Sequence, residues 1–390
     1  MQYDFDRIID RRITESVKWH AYDEDVLPLW VADMDFVSPE PVIRALQARV
    51  EHGVFGYPSG FYLQAAGQPD LRQILVDRMG ERFGWQIEPE DLLLAPGVVS
   101  SFNQMCHAVA EPGGGVLVQT PVYPPFLSAP GNAGLQRQEM QLSLQADGSY
   151  TIDWEAFEAA IDEHTRLFIL CNPHNPVGRV FRKDELERMA EICLRHGVLI
   201  CSDEIHCDLT FSGYQHIPIA ALDPEIARNT VTLVAPSKTF NIAGLHASIV
   251  IAQDQQLRQR FRHAGQGLVG SVNLLGLTAM IAAFQDGGEW LDQLLAYLEG
   301  NRDYLGEYVD QKLPGIHMTK PEGTYLAWLD CRETGIENPY EFFIKEARVA
   351  MNDGKTFGAG GEGFVRLNFG CPRSLLQQAL ERMQAALQNR

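Results

Sequence analysis

The stretch that decides the fold is residues 230–241, which read Thr-Val-Thr-Leu-Val-Ala-Pro-Ser-Lys-Thr-Phe-Asn. Its β-branched and apolar start predicts a buried strand, and Pro236 ends that strand because proline cannot donate a ladder hydrogen bond. Lys238 follows two residues later, where a buried parallel strand opens onto a crevice at its carboxyl end. The pattern therefore predicts a parallel sheet with a lysine at the edge where such sheets carry their chemistry.

A lysine in this position can act as a nucleophile. An ammonium group is costly in an apolar pocket, so its pKa falls, and the free amine can then add to an aldehyde such as pyridoxal phosphate as a Schiff base. The alternative is that Lys238 caps a strand end and pairs with a carboxylate. The other six lysines are predicted to lie in polar, helical or loop-like surroundings: Lys18, Lys183, Lys312, Lys320, Lys345 and Lys355.

Composition limits the class of protein. The chain has 390 residues, 45% of them hydrophobic and 21% charged, which is typical of a globular protein of two domains. A net charge of −19 argues against a nucleic-acid partner, because affinity for phosphate backbones comes largely from Lys and Arg. No apolar run approaches the ~20 residues of a membrane helix, and the first residues lack a secretion signal, so we expect no membrane and a cytoplasmic location. Seven cysteines without CxxC spacing predict neither disulfides nor a metal site.

Strand-like and helix-like segments alternate through the middle of the chain. Apolar runs near residues 92–95, 115–119, 166–171, 197–201, 231–235 and 247–251, several of them separated by helical stretches, predict a largely parallel sheet covered by helices. After about residue 285 the pattern changes to a long helix, two half-buried strands and a final helix. We expect an α/β cofactor-binding domain at 51–285 and a smaller α+β domain formed by 1–50 and 286–390.

Two loops in this pattern admit two readings each. Residues 92–101 predict a strand, a glycine turn and a helix start whose backbone amides, with the Ser100 and Ser101 hydroxyls, suit a phosphate. The glycine is equally consistent with simple turn geometry. Residues 29–39 predict a short strand that runs into an acidic turn before a helix. Asp33 and Asp35 in that turn are either solvated helix-start residues or part of an active-site edge.

Three predicted strand ends supply a matched set of side chains. Asn175 lies in a Pro-rich turn after one strand, Asp203 ends the next, and Lys238 follows a third. A buried carboxylate keeps the pyridine nitrogen of pyridoxal phosphate protonated, and an amide can hydrogen-bond the cofactor's 3-oxygen without adding charge. The spacings are long enough for strand–helix–strand units to bring the three side chains together.

Four motifs now carry a resemblance: Trp-Val-Ala-Asp-Met-Asp-Phe at 30–36, Asn-Pro-His-Asn-Pro-Val-Gly-Arg at 172–179, Ser-Asp-Glu-Ile-His at 202–206 and Ala-Pro-Ser-Lys-Thr-Phe-Asn-Ile-Ala-Gly-Leu at 235–245. The chain resembles fold-type I pyridoxal-phosphate enzymes of the class I/II aminotransferase superfamily over nearly its whole length. Together the motifs are similar to those of the cystathionine β-lyase or cysteine C–S lyase branch.

The resemblance implies a role for each matching residue. Lys238 would carry the cofactor and move the substrate's α-proton, and Tyr123 would stack on the cofactor ring and assist catalysis. Asp203 would pair with the pyridine nitrogen, Asn175 with the 3-oxygen, and His206 would also lie at the cofactor. The phosphate would be bound by Val98, Val99 and Ser237, and by Tyr57 of a neighbouring subunit, which implies a homodimer with shared active sites.

The substrate's α-carboxylate would be held by Arg366, with Asn175 and Ala32 also in the substrate site. Plainer alternatives are a pairing of Arg366 with Glu362, a turn tyrosine at 123 with its hydroxyl in water, and loop packing for Tyr57.

The chain departs from aspartate-type aminotransferases at two positions. His206 stands where they have tyrosine and His246 where they have arginine, and a histidine supplies a weaker, pH-dependent charge near neutrality. The histidine at 206 fits the lyase branch. Residues 59–68 also look longer than this family leads one to expect, and the shape of the pocket around Tyr62 and Tyr123 sets the choice of substrate.

The implied activity is α,β-elimination from a cysteine S-conjugate such as cystathionine, which gives a thiol, pyruvate and ammonia. An aminotransferase is the alternative within pyridoxal-phosphate chemistry. A regulatory protein that binds a partner and retains residual lyase activity is the alternative from another class. The intact Lys238, Asp203 and Arg366 favour an enzyme.

Overall fold

The computed structural model of the protein describes residues 2–59 and 70–390. Most of the segment 59–68, with Tyr62, lies outside the described residues. The strands that the structure describes are β1 (Leu27–Pro28), β2 (Leu92–Ala95), β3 (Gly115–Thr120), β4 (Gln136–Gln141), β5 (Ser143–Leu144), β6 (Tyr150–Thr151), β7 (Thr165–Cys171), β8 (Leu199–Asp203), β9 (Thr230–Val234), β10 (Ser248–Ile251), β11 (His317–Thr319), β12 (Leu326–Asp330), β13 (Val349–Ala350), β14 (Asn352–Asp353) and β15 (Phe364–Asn368).

The α-helices in the same residues are α1 (Val17–His20), α2 (Glu40–His52), α3 (Leu71–Phe83), α4 (Val98–Ala108), α5 (Pro124–Asn132), α6 (Trp154–Ala159), α7 (Lys183–Arg195), α8 (Pro224–Arg228), α9 (Pro236–Thr239), α10 (Gln255–Gly265), α11 (Leu274–Asp286), α12 (Gly288–Lys312), α13 (Pro339–Phe342) and α14 (Arg373–Gln388). No helix among the described residues is both long enough and apolar enough to cross a bilayer.

The central sheet has seven strands in the order β2-β10-β9-β8-β7-β3-β4. All of them run parallel except β10, which is antiparallel to both of its neighbours. Every residue of β3 and β9 is buried, as expected for strands that helices cover on both faces. Because β9 and β10 are antiparallel, the connection between them begins and ends on the side of the sheet where the parallel strands have their carboxyl ends. This connection carries Lys238.

Strand register brings the predicted site residues to these carboxyl ends. Cys171 at the end of β7 pairs with Asp203 at the end of β8, and Asp203 pairs in turn with Leu233 of β9. β3 pairs in parallel with the other side of β7, so its carboxyl end lies beside that of β7. The loops that follow these four strands therefore converge, as they do in open α/β sheets that bind ligands at their carboxyl ends.

A second sheet, β11-β12-β15-β14, is antiparallel throughout. Its core is aromatic: the fully buried Trp328 stacks on Phe364 at 5.0 Å between ring centroids and donates a hydrogen bond to the Tyr150 hydroxyl at 3.0 Å. The N-terminal strand β1 pairs with β13, which ties residues before 50 to the C-terminal part of the chain. The domain division at 51 and 285 stays a prediction.

Among the segments that differ from the sequence prediction are two strands. The strand near the N-terminus covers only Leu27–Pro28, and the backbone is irregular from there to the start of α2. The edge strand β4 was not predicted, because its sequence, Gln-Arg-Gln-Glu-Met-Gln, has no apolar run. Polar and charged side chains are typical of edge strands, which gain less burial and are protected from pairing with other chains.

Candidate active site

Lys238 lies on α9, a single helical turn that Pro236 begins directly after β9. Its Nζ donates a hydrogen bond to the Ala32 carbonyl oxygen at 2.7 Å and makes no ion pair with a described carboxylate. The predicted alternative, a lysine paired with a carboxylate, is therefore not what the structure has. Burial, and then the positive charge of Arg366, lower the pKa of Lys238 to about 8, with Asp33 and Asp203 opposing. At pH 7 about a tenth of the Lys238 side chains are therefore free amines, far more than for an ordinary lysine.

Asp203 is the last residue of β8, with 5% of its surface exposed. One oxygen of its carboxylate accepts a hydrogen bond from the Ile205 backbone amide at 3.0 Å. Burial raises the pKa of Asp203 to about 7, although that hydrogen bond and the charge of Lys238 oppose the rise. A carboxylate so poorly solvated favours a cationic group beside it, such as a protonated pyridine nitrogen.

Arg366 lies in the middle of β15, and its guanidinium spans the gap between the two sheets. Its Nη1 donates to Asn175 Oδ1 at 2.9 Å, and its Nη2 donates to Asn352 Oδ1 at 2.6 Å and to the Trp30 carbonyl oxygen at 2.9 Å. Its Nε is buried and has no hydrogen-bond partner in the described part of the chain. Burial lowers the pKa of Arg366 to about 10, which leaves it cationic at neutral pH and able to bind a carboxylate.

Glu362, the alternative partner predicted for Arg366, lies near Lys355 instead. Its Oε1 lies 3.8 Å from the Nζ of Lys355, and both side chains are solvent-exposed. The predicted Arg366–Glu362 pair is therefore absent from the described structure, and the guanidinium is held by amide and backbone oxygens alone. None of these partners neutralises it, so the charge of Arg366 remains available to an anion.

Tyr123 precedes α5 and is held by the loop that carries Asn175. The Tyr123 backbone amide donates to the Asn175 carbonyl oxygen at 3.1 Å, and the side chain is partly buried. Burial, and then the negative charge of Asp203, raise the pKa of the Tyr123 phenol. The phenol therefore keeps its proton at neutral pH and can donate it.

His206 carries no charge near neutrality, which differs from the sequence expectation. It is buried, its ring lies edge-on to Tyr325 at 5.9 Å, and burial followed by the charges of Lys238 and Arg366 lowers its pKa to about 3. Its Nδ1 is enclosed without a hydrogen-bond partner among the described residues. His246 is exposed and adopts a left-handed backbone conformation, with φ of 47°.

The predicted phosphate site has a mixed outcome. Val98 and Val99 begin α4, where the first backbone amides of a helix are free to bind an anion. The hydroxyls of Ser100 and Ser101 instead donate to the Gly97 carbonyl oxygen, at 2.7 and 2.9 Å. The helix start can therefore hold a phosphate through its amides, but not through these two hydroxyls.

The two remaining predicted phosphate residues lie in different surroundings. Ser237 precedes Lys238 on α9 and is partly buried. Tyr57 is fully exposed. The described part of its own loop does not cover this side chain, and both of its readings, phosphate binding and loop packing, stay predictions.

A buried ion cluster beside Lys238 was not predicted from the sequence. Lys18, predicted to have polar surroundings, is 1% exposed, and its Nζ lies 2.6 Å from Asp35 Oδ2. Arg11 pairs with both Asp33 and Asp35 at 2.6 Å. The solvated reading of the acidic turn is therefore wrong. The sequence did contain one signal of burial. Lys18, Asp33 and Asp35 each stand next to a large apolar residue, which is unusual for solvated positions.

Taken together, these residues fit pyridoxal phosphate. The site has a lysine with a lowered pKa, a buried carboxylate that favours a neighbouring cation, and a free helix start. Two buried nitrogens, His206 Nδ1 and Arg366 Nε, point to groups that the polypeptide does not supply. Among the described residues, no cluster of three or more His, Cys, Asp or Glu is arranged to hold a metal, and all seven cysteines are buried free thiols.

Comparison with known proteins agrees with this site. Over residues 24–383 the chain matches the family model described as aminotransferase class I and II. It is 42% identical to cystathionine beta-lyase PatB of Bacillus subtilis over 98% of this chain and 99% of that protein, and 35% identical to protein MalY of Escherichia coli over 97% of each. The crystal structure of cystalysin from Treponema denticola, which contains a pyridoxal 5'-phosphate cofactor, superposes with a TM-score of 0.94 at 34% identity and covers 100% of both chains. The chain belongs to the aminotransferase class I and II family.

Proposed function

We propose that this chain is a pyridoxal-phosphate-dependent carbon–sulfur lyase that eliminates the thiol from cysteine S-conjugates such as cystathionine. With one water, each substrate gives a thiol, pyruvate and ammonia. The observation that carries the proposal is the proximity of three side chains: Lys238 and Asp203 at the carboxyl ends of the central strands, and Arg366, which reaches them from the second sheet. Relatives named cystathionine beta-lyase, similar over almost the whole chain, support this activity over the alternatives.

The cofactor, when bound, supplies an electron sink for the pair of electrons left at the substrate's Cα. Asp203 holds the proton on the pyridine nitrogen that makes this sink effective. Arg366 binds the α-carboxylate and so orients the Cα–H bond toward Lys238. We assign Lys238 to remove that proton, because its lowered pKa provides a free amine near neutral pH.

Elimination then requires the bond between Cβ and sulfur to break and the leaving sulfur to take up a proton. Lys238, once it has taken up the α-proton, is one assigned donor, and the Tyr123 phenol, which is protonated at neutral pH, is a second one. A thiolate leaves readily, so this step competes well with return of a proton to the cofactor, which an aminotransferase needs. This difference favours the lyase over the aminotransferase for a substrate with a sulfur at Cβ.

We also propose that the active chain is a homodimer with active sites shared between subunits. The loop after α2 exposes Val54, Phe55 and Tyr57, and a second copy of this chain would cover them. Tyr57 would then reach the cofactor phosphate of the partner. A cytoplasmic location is proposed as well, which agrees with seven cysteines kept as buried thiols.

The lyase and the aminotransferase are distinguished by their products. The purified protein is incubated with cystathionine and other cysteine thioethers, and keto acid, ammonia and free thiol are measured in parallel. Equal amounts of all three support the lyase. Rapid amino transfer from alanine or aspartate to 2-oxoglutarate, without thiol release from any thioether, assigns the chain to the aminotransferases. Failure to turn over any amino acid while binding the cofactor favours the regulatory alternative.

Shared active sites are tested by mixing two inactive variants. Lys238→Ala and Tyr57→Ala chains are unfolded, mixed and refolded together, so that hybrid dimers form. A shared site predicts that the mixture regains activity, since one site of each hybrid has both native residues. A fully active monomer in sedimentation, or no recovery in the mixture when each variant alone refolds as a dimer, contradicts this proposal.

A further inference from the structure

The irregular segment Trp30–Met34, called here the arm segment, has an unusual hydrogen-bonding pattern. Each of its five backbone carbonyls accepts a hydrogen bond from a side chain, which compensates for the missing strand partner. The donors are Arg366 to residue 30 at 2.9 Å, Asn368 to residue 31 at 2.5 Å, Lys238 and Tyr325 to residue 32 at 2.7 and 2.8 Å, Lys18 and Asn368 to residue 33 at 3.2 and 2.6 Å, and Arg11 and Asn241 to residue 34 at 3.3 and 2.8 Å.

Two of these donors belong to the proposed catalytic site. Lys238 rests on the Ala32 carbonyl, and Arg366 rests on the Trp30 carbonyl. The arm segment therefore helps to place the amine before the cofactor binds it, and it holds the guanidinium together with Asn175 and Asn352. A displacement of this backbone would move both groups, and misplacement by about 1 Å can cost about 10²-fold in rate.

The ion cluster of Arg11, Lys18, Asp33 and Asp35 holds the arm segment through contacts other than those of Lys238 and Arg366. Lys18 pairs with Asp35 at 2.6 Å and also donates to the Asp33 carbonyl at 3.2 Å. Arg11 bridges the two carboxylates at 2.6 Å to each. Two cations and two anions balance the charge, which makes this burial tolerable.

The cluster is also coupled electrically to Lys238. Burial opposes ionisation of Asp33, but the hydrogen bond from Arg11 and the charge of Lys18 outweigh it, so the pKa of Asp33 is lowered and the group is anionic. Its negative charge raises the pKa of Lys238, against the effects of burial and of Arg366. Asp203 and His206 complete the titratable groups that interact with the Lys238 amine.

We propose that Lys18 is a positioning residue for the reaction: through Asp33 and Asp35 it fixes the arm segment on which Lys238 and Arg366 rest. Lys18 touches neither substrate nor cofactor. It acts by holding the Ala32 and Trp30 carbonyls in place and by balancing the two carboxylates below them. This inference rests on the proposed function where it is tested by enzyme kinetics. Its second test, the absorbance of the bound cofactor against pH, does not depend on that function.

The test compares three variants of the holoenzyme. Lys18→Met removes the cation, and Lys18→Met with Asp35→Asn removes one charge of each sign. Lys345→Met is the control, because Lys345 is an exposed lysine that pairs with Glu341 at 2.8 Å. Cystathionine kinetics give kcat and KM, and the visible absorbance of the bound cofactor, followed against pH, gives the midpoint at which the Lys238 nitrogen loses its proton.

For Lys18→Met we expect kcat/KM to fall about 10- to 100-fold, with changes in both kcat and KM, because two site residues move. Loss of one positive charge also leaves the cluster net negative, so the absorbance midpoint rises, by up to about one pH unit. In the double variant the midpoint returns toward the native value, while kcat/KM stays low because the arm segment still lacks the contacts of Lys18 with the Asp33 carbonyl and with residue 35. The Lys345→Met control keeps both native values.

The proposal is overturned if Lys18→Met folds and matches the Lys345→Met control within twofold in kcat/KM, with an unshifted midpoint. If the single variant does not fold because the buried cluster keeps one excess negative charge, the double variant decides: native kcat/KM in that protein overturns the proposal. An unmodified enzyme that releases no thiol refutes the proposed function instead. In that case the absorbance midpoints still test the role of Lys18.

Discussion

The Nη1 of Arg366 lies 2.9 Å from the Oδ1 of Asn175, although 191 positions separate the two residues in the chain. This hydrogen bond joins β15 of the second sheet to the loop after β7 of the central sheet. One residue is assigned to the substrate carboxylate and the other to the cofactor's 3-oxygen, so the bond links the two binding events. Substrate binding and cofactor placement are therefore expected to depend on each other.

Replacement of Arg366 by lysine tests this link. Lysine keeps the positive charge but has a single donor nitrogen, which cannot reach Asn175, Asn352 and Trp30 and a carboxylate at once. We expect kcat/KM to fall by about 10²-fold, mostly through KM, in line with the about 1.5–3 kcal/mol of a charged hydrogen bond. The matched control is Arg332→Lys, at an arginine that pairs with Asp330 on the surface. Equal kinetics for the two variants would show that Arg366 does not bind the substrate.

Removal of the cofactor exposes the acid–base behaviour of Lys238. In the cofactor-free protein, acetylation of individual lysines is followed by mass spectrometry between about pH 6 and 10. Because the pKa of Lys238 is lowered to about 8, its free amine forms as the pH rises through that value, and its labelling should rise with it. Lys345 is the comparison: its hydrogen bond with Glu341 raises its pKa, so it should label only at higher pH. Labelling of Lys238 that follows Lys345 throughout contradicts the predicted effect of burial.

Asp203→Asn is expected to keep the fold and lose the chemistry. The amide has the same shape and can still accept the Ile205 hydrogen bond, but it cannot hold a proton on the pyridine nitrogen. Loss of one preorganised charge typically costs about 10²–10³ in kcat. Asp203→Glu, which keeps the charge on a longer side chain, should recover part of that loss. Exchange of the substrate's α-proton with deuterated water measures the affected step directly, and unchanged exchange in Asp203→Asn removes this role.

Much of the central sheet could be predicted because its signals are local. Continuous apolar runs mark the strands, and the lysine, aspartate and asparagine follow them at positions that sheet register then brings together. The chain's membership of the aminotransferase class I and II family confirms the resemblance drawn from four motifs. β4 was missed because an edge strand needs no apolar run, and its six residues are largely polar.

The surroundings of Lys18 could not be predicted in the same way, because they depend on contacts between distant parts of the fold. A lysine in a short helix usually points into water, and the approach of Asp33 and Asp35 makes its burial tolerable. The charge state of His206 is similar: its local sequence permits a cation, whereas burial beside Lys238 and Arg366 makes it neutral. Propensity and spacing contain no information on the charge state of His206, and for Lys18 the sequence offers only the large apolar residues beside it and beside the two aspartates.

The position of the turn that carries Asn175 can be tested with two glycines that differ in how closely other atoms approach them. Gly178 and Gly197 both have left-handed backbone conformations, with φ of 74° and 67°. A Cβ on Gly197 meets nothing within 4 Å, whereas a Cβ on Gly178 lies 2.9 Å from the Cα of Pro321. The Gly178 carbonyl oxygen also accepts the amides of residues 322 and 323, at 2.8 and 3.1 Å, so this turn and that loop are locked together.

We therefore expect Gly197→Ala to lose about 1–2 kcal/mol, the cost of a left-handed non-glycine residue, with unchanged kinetics. Gly178→Ala should lose that amount and more, because backbone atoms on both sides must separate. It should also lower kcat/KM, since the displaced turn carries Asn175 and, through its carbonyl, the amide of Tyr123. Denaturant unfolding and cystathionine kinetics on the two variants measure both effects. Equal losses of stability with native kinetics in both would show that the close approach of Pro321 does not position the turn.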